Sequence, residues 1–386
     1  VSRDWSSDVC SSDLAGSAAA SSSTSTPERT TVKLGLGLDV WASPRFELPL
    51  ERVRLAERLG FDSVWTAEIY GADAVTPLAY LAAHTRHLRL GTAIAQVAAR
   101  PPTTAAMQFG TIEAMAPGRV VCGLGLSGPQ VVEGWYGQPW HRPNQTLREY
   151  VDVVRQVFRR EAPVALDGEV LRLPHDGPDG LGVGRPLKPI LHMNPDLPVF
   201  LAAGGPRNVR LAFEVADGWI PLGYTPGSAH LYADDVAAGL EAGGRTLADV
   251  EVQASARLAL TDDVQAVLDA AKPQTAMLVG GYGTDDHNFH RDAMVRRGFG
   301  EAAARIHELF AAGRRKEAAA AVPDDYLDDG ALIGDEQRIR TRWDSWSGTD
   351  ATGLTVRPGS EQEMRLLAAI AGCEPRPDND LPGRAD

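Results

Sequence analysis

The stretch GLGLSGPQVVEGWYG (Gly123–Gly137) opens with the glycine spacing G-x-G-x-x-G. This spacing marks a dinucleotide-binding turn only where it joins a strand to a helix inside a βαβ unit. The preceding residues, 119–124, form an apolar run that predicts a buried strand. Pro129 and further glycines and prolines follow, so we expect no helix before a clear helical pattern near Thr146. The stretch therefore disfavours a Rossmann turn and favours a strand that ends in a functional loop.

Outward from this stretch, short apolar runs alternate with helical patterns along the chain. Near-continuous apolar runs are typical of parallel strands that are covered by helices. The eight runs are VKLGLGL (32–38), DSVWT (62–66), LRLGTAI (88–94), RVVCGLG (119–125), PVFLAA (198–203), GWIPL (218–222), VQASARLAL (252–260) and GLTV (353–356). Eight β-α units favour an α/β fold of the (β/α)8 TIM barrel type. The alternative is an open doubly wound sheet with a second domain.

Two connections are much longer than the others and predict insertions after strands 4 and 7. Residues 161–197 contain VALDGEVLRL, whose Asp-Gly pair predicts the turn of a small hairpin. Residues 261–352 contain several helical patterns, including an Ala-rich one. Between strands 4 and 5, a helix is predicted from Thr146, where Glu149 would complete a capping box.

The chain is predicted to have three parts. Residues 1–31 form a disordered or artefactual segment, residues 32–373 the barrel, and residues 374–386 a flexible tail. The first segment is rich in Ser, Ala and Thr and lacks the apolar content needed for a core or a secretory signal. Its SSDVCSSDL portion resembles a translated sequencing adapter.

The composition narrows the class of partner. A formal net charge of −13 disfavours nucleic acid and anionic membrane surfaces, so we expect a small-molecule substrate. No apolar run is long enough to predict a transmembrane helix. The three cysteines are far apart in sequence and odd in number, which indicates no disulfide framework and favours a cytoplasmic location.

The segments that follow the strands carry the candidate functional residues, because active sites of TIM barrels lie at this end. They are rich in glycine, with aromatic residues and two carboxylates, and they lack the paired carboxylates of a glycosidase. Two H-x-x-H pairs, His84 with His87 and His287 with His290, have no third ligand nearby in the sequence. We therefore expect no metal site.

At the strand ends the sequence also carries a family resemblance. The runs AERLGFDSVWTAE, LRLGTAI, GRVVCGLGLSG and LAAGGPRN, followed by ADGWIP, resemble successive motifs of the luciferase-like monooxygenase superfamily. AEIYGADAVTP, SGPQVVEGWYGQPW and NFHRDAMVRRGFG are similar to its actinobacterial branch of coenzyme F420-dependent oxidoreductases. The resemblance covers residues 32–371. It implies a deazaflavin ring in the mouth of the barrel and a homodimer.

The resemblance also implies roles for individual residues near this ring. It places a non-prolyl cis peptide at Ala93-Ile94, and ring contacts at Ala67. Related deazaflavin enzymes usually carry an Asp-His pair where this chain has Glu68-Ile69. Because the histidine is missing, Glu68 is left as the predicted acid/base or ring-orienting group. The alternative is a solvated carboxylate in a loop.

Other strand ends supply the predicted phosphate and ring contacts. The turn predicted to bind the cofactor phosphate comprises Ala203, Gly204, Gly205 and Pro206. Proline suits the first helical position, and the exposed N–H groups of a helix start bind anions. Arg207 and Arg210 are predicted to add attraction. Ser127 and Gly128 are expected to offer polar contacts to the ring. The alternative for the turn is a glycine-rich bend without a ligand.

Aromatic residues at the strand ends are predicted to border the substrate. They are Trp41, Tyr70, Trp135 and Tyr136. The alternative is that they only pack their loops onto the barrel.

The leading functional prediction is an oxidoreductase that transfers a hydride between coenzyme F420 and an organic substrate. A second possibility is a flavin mononucleotide (FMN)-dependent monooxygenase that works with a separate flavin reductase. A third is a flavin-binding barrel without catalytic activity. Tight cofactor binding without turnover would distinguish the third from the other two.

Overall fold

The computed structural model describes residues 32–39, 44–284 and 286–376. The predictions for residues 1–31, for most of the tail and for Trp41 fall outside these ranges. The strands, in chain order, are β1 (Lys33–Gly37), β2 (Ser63–Thr66), β3 (Arg89–Thr92), β4 (Ala95–Gln96), β5 (Val120–Gly125), β6 (Leu166–Asp167), β7 (Arg172–Leu173), β8 (Val199–Ala203), β9 (Gly218–Pro221), β10 (Glu251–Ser255), β11 (Leu258–Leu260), β12 (Leu332–Gly334) and β13 (Gly353–Val356).

Eight parallel strands close into a barrel. Their order is β3-β2-β1-β13-β10-β9-β8-β5, and β5 pairs again with β3. The first strand, β1, joins the two ends of the chain within the barrel, since its Leu36 pairs with Val64 of β2 and with Val356 of the last strand, β13. The short strand β4 resumes after β3 and also pairs with β5. The predicted TIM barrel is confirmed, all eight apolar runs contain barrel strands, and the open-sheet alternative is wrong.

Helices follow the barrel strands and cover the outside of the sheet. They are α1 (Leu50–Arg58), α2 (Thr76–His84), α3 (Pro102–Met115), α4 (Pro129–Gly134), α5 (Pro143–Arg159), α6 (Pro206–Val215), α7 (Ala233–Gly243), α8 (Val264–Gly281), α9 (Phe289–Arg296), α10 (Gly300–Ala311), α11 (Arg315–Ala320), α12 (Asp324–Asp328), α13 (Glu336–Trp346) and α14 (Glu361–Ile370). None of the helices in the described ranges combines the length and apolarity needed to cross a bilayer.

Two predictions on the segment after β5 are wrong. The short helix α4 starts at Pro129, directly after the glycine-rich stretch, although no helix was expected there. The second helix, α5, starts at Pro143 rather than Thr146, because proline fits the first turn of a helix. The predicted capping box is absent from this helix: the Thr146 hydroxyl donates to the carbonyl of Arg142, and Glu149 accepts from the backbone N–H groups of residues 169–171.

Both predicted insertions are present. Residues 161–197, after the fourth barrel strand, contain the expected hairpin of β6 and β7. After the seventh barrel strand, helices α8 to α12 form a separate small core. Its buried members include Ala276, Met294, Ile306, Leu309 and Val322. This insertion is therefore a packed body of its own.

Large side chains fill the interior of the barrel. Trp65 and Phe200 are buried there, with ring centroids 5.9 Å apart. Two glycines make room for them. A Cβ at Gly91 would lie 2.3 Å from the Trp65 ring, and one at Gly218 would lie 2.5 Å from the Phe200 ring. The interior is thus a packed core, and open space remains at the C-terminal ends of the strands.

Candidate active site

A cavity of about 710 Å³ lies where the barrel strands end. All the residues that were predicted to contact the cofactor line it, together with Glu68: Ala67, Ala93, Ile94, Ser127, Gly128, Ala203, Gly204, Gly205 and Pro206. A second cavity, of about 540 Å³, lies between α13 and α14, away from the strand ends. Only the first cavity brings the predicted residues together, so it is the candidate active site.

A backbone bulge forms one wall of the cavity. The peptide bond Ala93-Ile94 is cis, as the family resemblance implies. It separates β3 from β4, and both residues line the cavity. The neighbouring strand β5 approaches closely, since a Cβ at Gly125 would lie 2.1 Å from Cδ1 of Ile94. The bulge is therefore held between packed strands and presents apolar surface to the cavity.

Glu68 is held by the same region of the protein. Glu68 is only 8% exposed, so the alternative of a solvated carboxylate in a loop is wrong. Oε1 accepts from the backbone N–H of Gln96 at 2.6 Å. Oε2 accepts from the backbone N–H of Ala74 at 3.0 Å and from Nη2 of Arg100 at 2.7 Å. Both carboxylate oxygens are thus engaged, and the side chain ties together the backbone at Ala74 and Gln96.

The charge of Arg100 is stabilised by this contact. Burial by itself would lower the pKa of Arg100, but the hydrogen bond and the charge of Glu68 raise it. The arginine also donates to the carbonyl of Gln96 at 3.4 Å. The result is a three-residue cluster of Glu68, Gln96 and Arg100, which we call the acid–amide cluster. It lies at the edge of the bulge.

The turn before α6 forms another wall. Gly205 is the N-cap residue, and Pro206 occupies the first helical position, as predicted. A Cβ at Gly205 would meet no atom within 4 Å, so the space beside its backbone is open. Pro206 has no N–H, and among the described residues the backbone N–H groups of Arg207 and Asn208 have no backbone acceptor, whereas that of Val209 bonds to the carbonyl of Gly205. Such a helix start attracts an anion.

The cation near this turn is not one of the predicted arginines. Arg210 pairs with Asp235 at 3.0 Å and Arg207 is exposed, and neither lines the cavity. Arg296 of α9 does line it, and its Nη1 donates to the carbonyl of Gly204 at 3.0 Å. The same guanidinium pairs with Asp235 and lies over the Tyr232 ring. The cation that lines the cavity beside this turn is thus Arg296, and the attraction expected of Arg207 and Arg210 stays a prediction.

The insertion after the seventh barrel strand supplies part of the cavity wall. Tyr282, Phe289 and His290 all line the cavity, and the rings of Tyr282 and His290 meet edge to face with centroids 5.5 Å apart. Burial lowers the pKa of His290 to about 4, so the imidazole is neutral at pH 7. Burial raises the pKa of Tyr282, while a hydrogen bond with Ser127 opposes that change.

The aromatic residues predicted for the substrate lie farther out. Tyr70 and Trp135 are 61% and 63% exposed, and their ring centroids are 6.3 Å apart. The Tyr136 hydroxyl donates to the carbonyl of Ile69 at 3.2 Å. These three residues form one group beside the cavity rather than part of its wall. Their role towards the substrate stays a prediction, and Trp41 is outside the described residues.

Several cavity residues were not predicted from the sequence. They are Gln96, Tyr282, His290 and Arg296. Arg100, which contacts Glu68 without lining the cavity, was not predicted either. Nothing near Gln96 in the sequence indicates its partner. His290 was considered only as half of a metal-binding pair. The other three become recognisable only when the contacts between distant segments are known.

Comparison with known proteins agrees with this geometry. Residues 23–352 match the sequence model of the luciferase-like monooxygenase family. A Mycobacterium tuberculosis protein that bears the name "Putative coenzyme F420-dependent oxidoreductase" is 42% identical over 342 residues, which cover 88% of this chain and 99% of that protein. A 5,10-methylenetetrahydromethanopterin reductase of Archaeoglobus fulgidus is 26% identical over 325 residues, or 82% and 92% of the two chains.

A solved structure shows the same fold. The coenzyme F420-dependent tetrahydromethanopterin reductase of Methanopyrus kandleri superposes with a TM-score of 0.70 at 21% identity, over 89% of this chain and 99% of that one. The predicted enzyme class and cofactor agree with the names of these relatives. Because the family match spans most of the sequence, the chain belongs to the luciferase-like monooxygenase family.

Proposed function

We propose that this chain is a coenzyme F420-dependent oxidoreductase that transfers a hydride between the deazaflavin and a small organic substrate. The observation that carries the proposal is a single cavity that joins two surfaces. One is the apolar bulge at Ala93-Ile94, and the other is the open helix start at Gly205. A flat ring suits the first surface and a phosphate suits the second. The 42% identical relative favours the deazaflavin over FMN.

The residues present fit this cofactor. Ala67, Ala93 and Ile94 would contact the ring, and the free amides after Gly204 would hold the phosphate, with Arg296 nearby. The open space beside Gly205 allows an anion to approach the backbone without a clash. When bound, the deazaflavin supplies the carbon that gives or takes the hydride.

The side chains of the protein have positioning roles in this proposal. Glu68 accepts three hydrogen bonds and pairs with Arg100, so it orders the ring-binding wall. Of the two predicted roles, ring orientation therefore has more support than proton transfer. The insertion places Tyr282, Phe289 and His290 across the cavity, where they would border the substrate and limit access of water.

The test is a fluorescence titration of the purified protein with coenzyme F420 and with FMN, followed by turnover in an oxygen electrode. We expect tighter binding of F420, and hydride exchange without oxygen uptake. Preferential FMN binding with oxygen uptake would instead identify a monooxygenase that depends on a separate reductase. Tight binding with no exchange across a panel of alcohols, aldehydes and imines would favour a non-catalytic barrel.

The remaining expectations stay predictions of the sequence. They are a homodimer, a cytoplasmic location, and the division into residues 1–31, 32–373 and 374–386. Sedimentation of the purified protein at several concentrations tests the first of these.

A further inference from the structure

The side-chain carbonyl oxygen of Gln96 is an unpaired polar atom in the wall of the cavity. Gln96 is 2% exposed and lines the cavity. Within the described part of the chain, its Oε1 has no hydrogen-bond partner. Buried polar atoms are nearly always partnered, because an unpaired acceptor loses its hydration without compensation. Six other buried side-chain atoms of the described residues also lack a partner, but of these seven residues only Gln96 lines the cavity, where a ligand can supply a donor.

The orientation of this amide is fixed by its other end. Nε2 of Gln96 donates to the carbonyl oxygen of Glu68 at 2.8 Å. A carbonyl oxygen only accepts, so the opposite orientation of the amide would place two oxygens against each other. The backbone N–H of Gln96 is also tied to Glu68, and Glu68 is tied to Arg100. The acid–amide cluster thus holds Oε1 as a preset acceptor.

The position of Gln96 beside the bulge indicates which kind of donor would reach its Oε1. Gln96 follows the cis bond Ala93-Ile94 by two residues, and both sites line the same wall. A ring that lies on the bulge brings its edge to this wall. The pyrimidine-dione part of a deazaflavin or flavin has one ring N–H, between two carbonyl groups, and that N–H needs an acceptor.

We propose that Oε1 of Gln96 accepts a hydrogen bond from the pyrimidine ring N–H of the bound cofactor. Glu68 and Arg100 are then positioning residues that hold the glutamine amide. The inference rests on the proposed function only in requiring a cofactor with such a ring. FMN carries the same N–H as the deazaflavin. The contact would therefore help to bind either ring, and it would not make the protein selective for one cofactor over the other.

The experiment compares an unmodified ring with one methylated at this nitrogen. Coenzyme F420 and its derivative methylated at this nitrogen are titrated without substrate into the wild type and into Gln96→Met, and FMN with 3-methyl-FMN forms a second pair. Methionine has nearly the length of glutamine but no carbonyl oxygen. Gln253→Met is the matched control, because Gln253 is also a buried glutamine of the cavity wall and its Nε2 bonds to Thr355.

The proposal predicts one pattern of dissociation constants. In the wild type, methylation should weaken binding by about tenfold, the effect of losing one buried hydrogen bond. Gln96→Met should bind the two rings about equally, whereas Gln253→Met should keep the difference. The absorption band of the bound ring should shift in Gln96→Met and not in the control. The last readout is independent of enzyme activity.

Two results would overturn the proposal. One is equal binding of the methylated and the unmethylated ring by the wild type, a result that requires no variant. It would mean that Oε1 of Gln96 accepts from a donor other than the cofactor ring. The other is a Gln96→Met protein that melts normally and still discriminates between the rings. If the wild type binds neither F420 nor FMN, the proposed function itself fails, and that outcome is distinct from tight binding without discrimination.

Discussion

Two glycine-rich turns border the cavity, and glycine serves a different purpose in each. The first begins inside β5 and runs to Gly128; a Cβ at Gly123, within the strand, would lie 1.7 Å from the carbonyl oxygen of Thr92. In the second, before α6, a Cβ at Gly205 would meet nothing within 4 Å. The first turn lets two strands approach each other around the cis bond. The second leaves backbone amides open to a ligand.

This difference explains why glycine spacing alone is a poor guide to phosphate binding. In the G-x-G-x-x-G stretch, Thr92 and Ile94 fill the space beside Gly123 and Gly125, and of the three glycines only Gly128 lines the cavity. The AGGP turn has no such spacing, yet it has the open helix start. We call the first region the packed side; it comprises the segment around Gly123 and the acid–amide cluster. We call the turn before α6 the open side. The first three predictions test these two regions, and the last tests the wall that the insertion adds to the cavity.

The largest expected effect comes from the packed side. Arg100→Met should lower the free energy of unfolding by about 3–5 kcal/mol, because it leaves the buried Glu68 carboxylate without its cation. Urea denaturation monitored by tryptophan fluorescence measures this change. The matched control is Arg365→Met, which removes an exposed ion pair with Glu361 and should cost no more than about 1 kcal/mol. Equal effects of the two variants would contradict the structural importance of the acid–amide cluster.

The second prediction contrasts the glycines directly. Gly123→Ala should destabilise the protein by about 3 kcal/mol, since a rigid backbone oxygen lies where the new methyl group must go. Gly205→Ala should change the stability by no more than about 0.5 kcal/mol, because the site is open and its φ of −87° suits any residue. Thermal unfolding of both variants checks the contrast. Similar melting temperatures would remove the distinction between the two turns.

Much of the fold could be predicted from sequence because its signals are local. The apolar runs indicated the strands, and Pro206 after two glycines indicated the start of α6. The start of α4 was missed, since a helix of six residues between glycines has little periodicity. The start of α5 was placed too late, because a capping signal at Thr146 was given more weight than Pro143.

The site was harder to predict because its contacts join distant segments. Glu68 was identified, but its partners Gln96 and Arg100 lie 28 and 32 residues along the chain, and nothing local links them. Arg296 reaches Gly204 across 92 residues, from an insertion whose packing the sequence does not reveal. Arg210, which is nearer in sequence, pairs with the same Asp235 as Arg296 but does not line the cavity. Proximity in sequence was therefore a misleading criterion for the cation.

The third prediction tests the open side as a ligand site. Gly205→Val should weaken binding of coenzyme F420 by about tenfold or more, since a branched side chain would cover the free amides that attract the phosphate. Its melting temperature without ligand should stay close to that of the wild type, for the reason given for alanine. Gly205→Ala provides an intermediate step in side-chain size. Unchanged affinity in a folded valine variant would mean that the turn binds no phosphate.

The smallest expected effect concerns the protonation of His290, a residue of the insertion that lines the cavity. Burial lowers its pKa to about 4 in the folded protein, whereas an unfolded chain has a histidine pKa of about 6.5. Between these values the unfolded state binds a proton that the folded state does not. Stability is therefore complete above about pH 6.5 and falls as the pH decreases towards 4. Allowing for partial solvent screening, this residue should contribute a loss of about 1 kcal/mol between pH 6 and pH 5.

Urea denaturation of the wild type and of His290→Gln at these two pH values isolates that contribution, because the other titrating groups are common to both. Equal pH dependence in the two proteins would show that the imidazole is hydrated in the free enzyme, so that the cavity wall formed by the insertion is open to water.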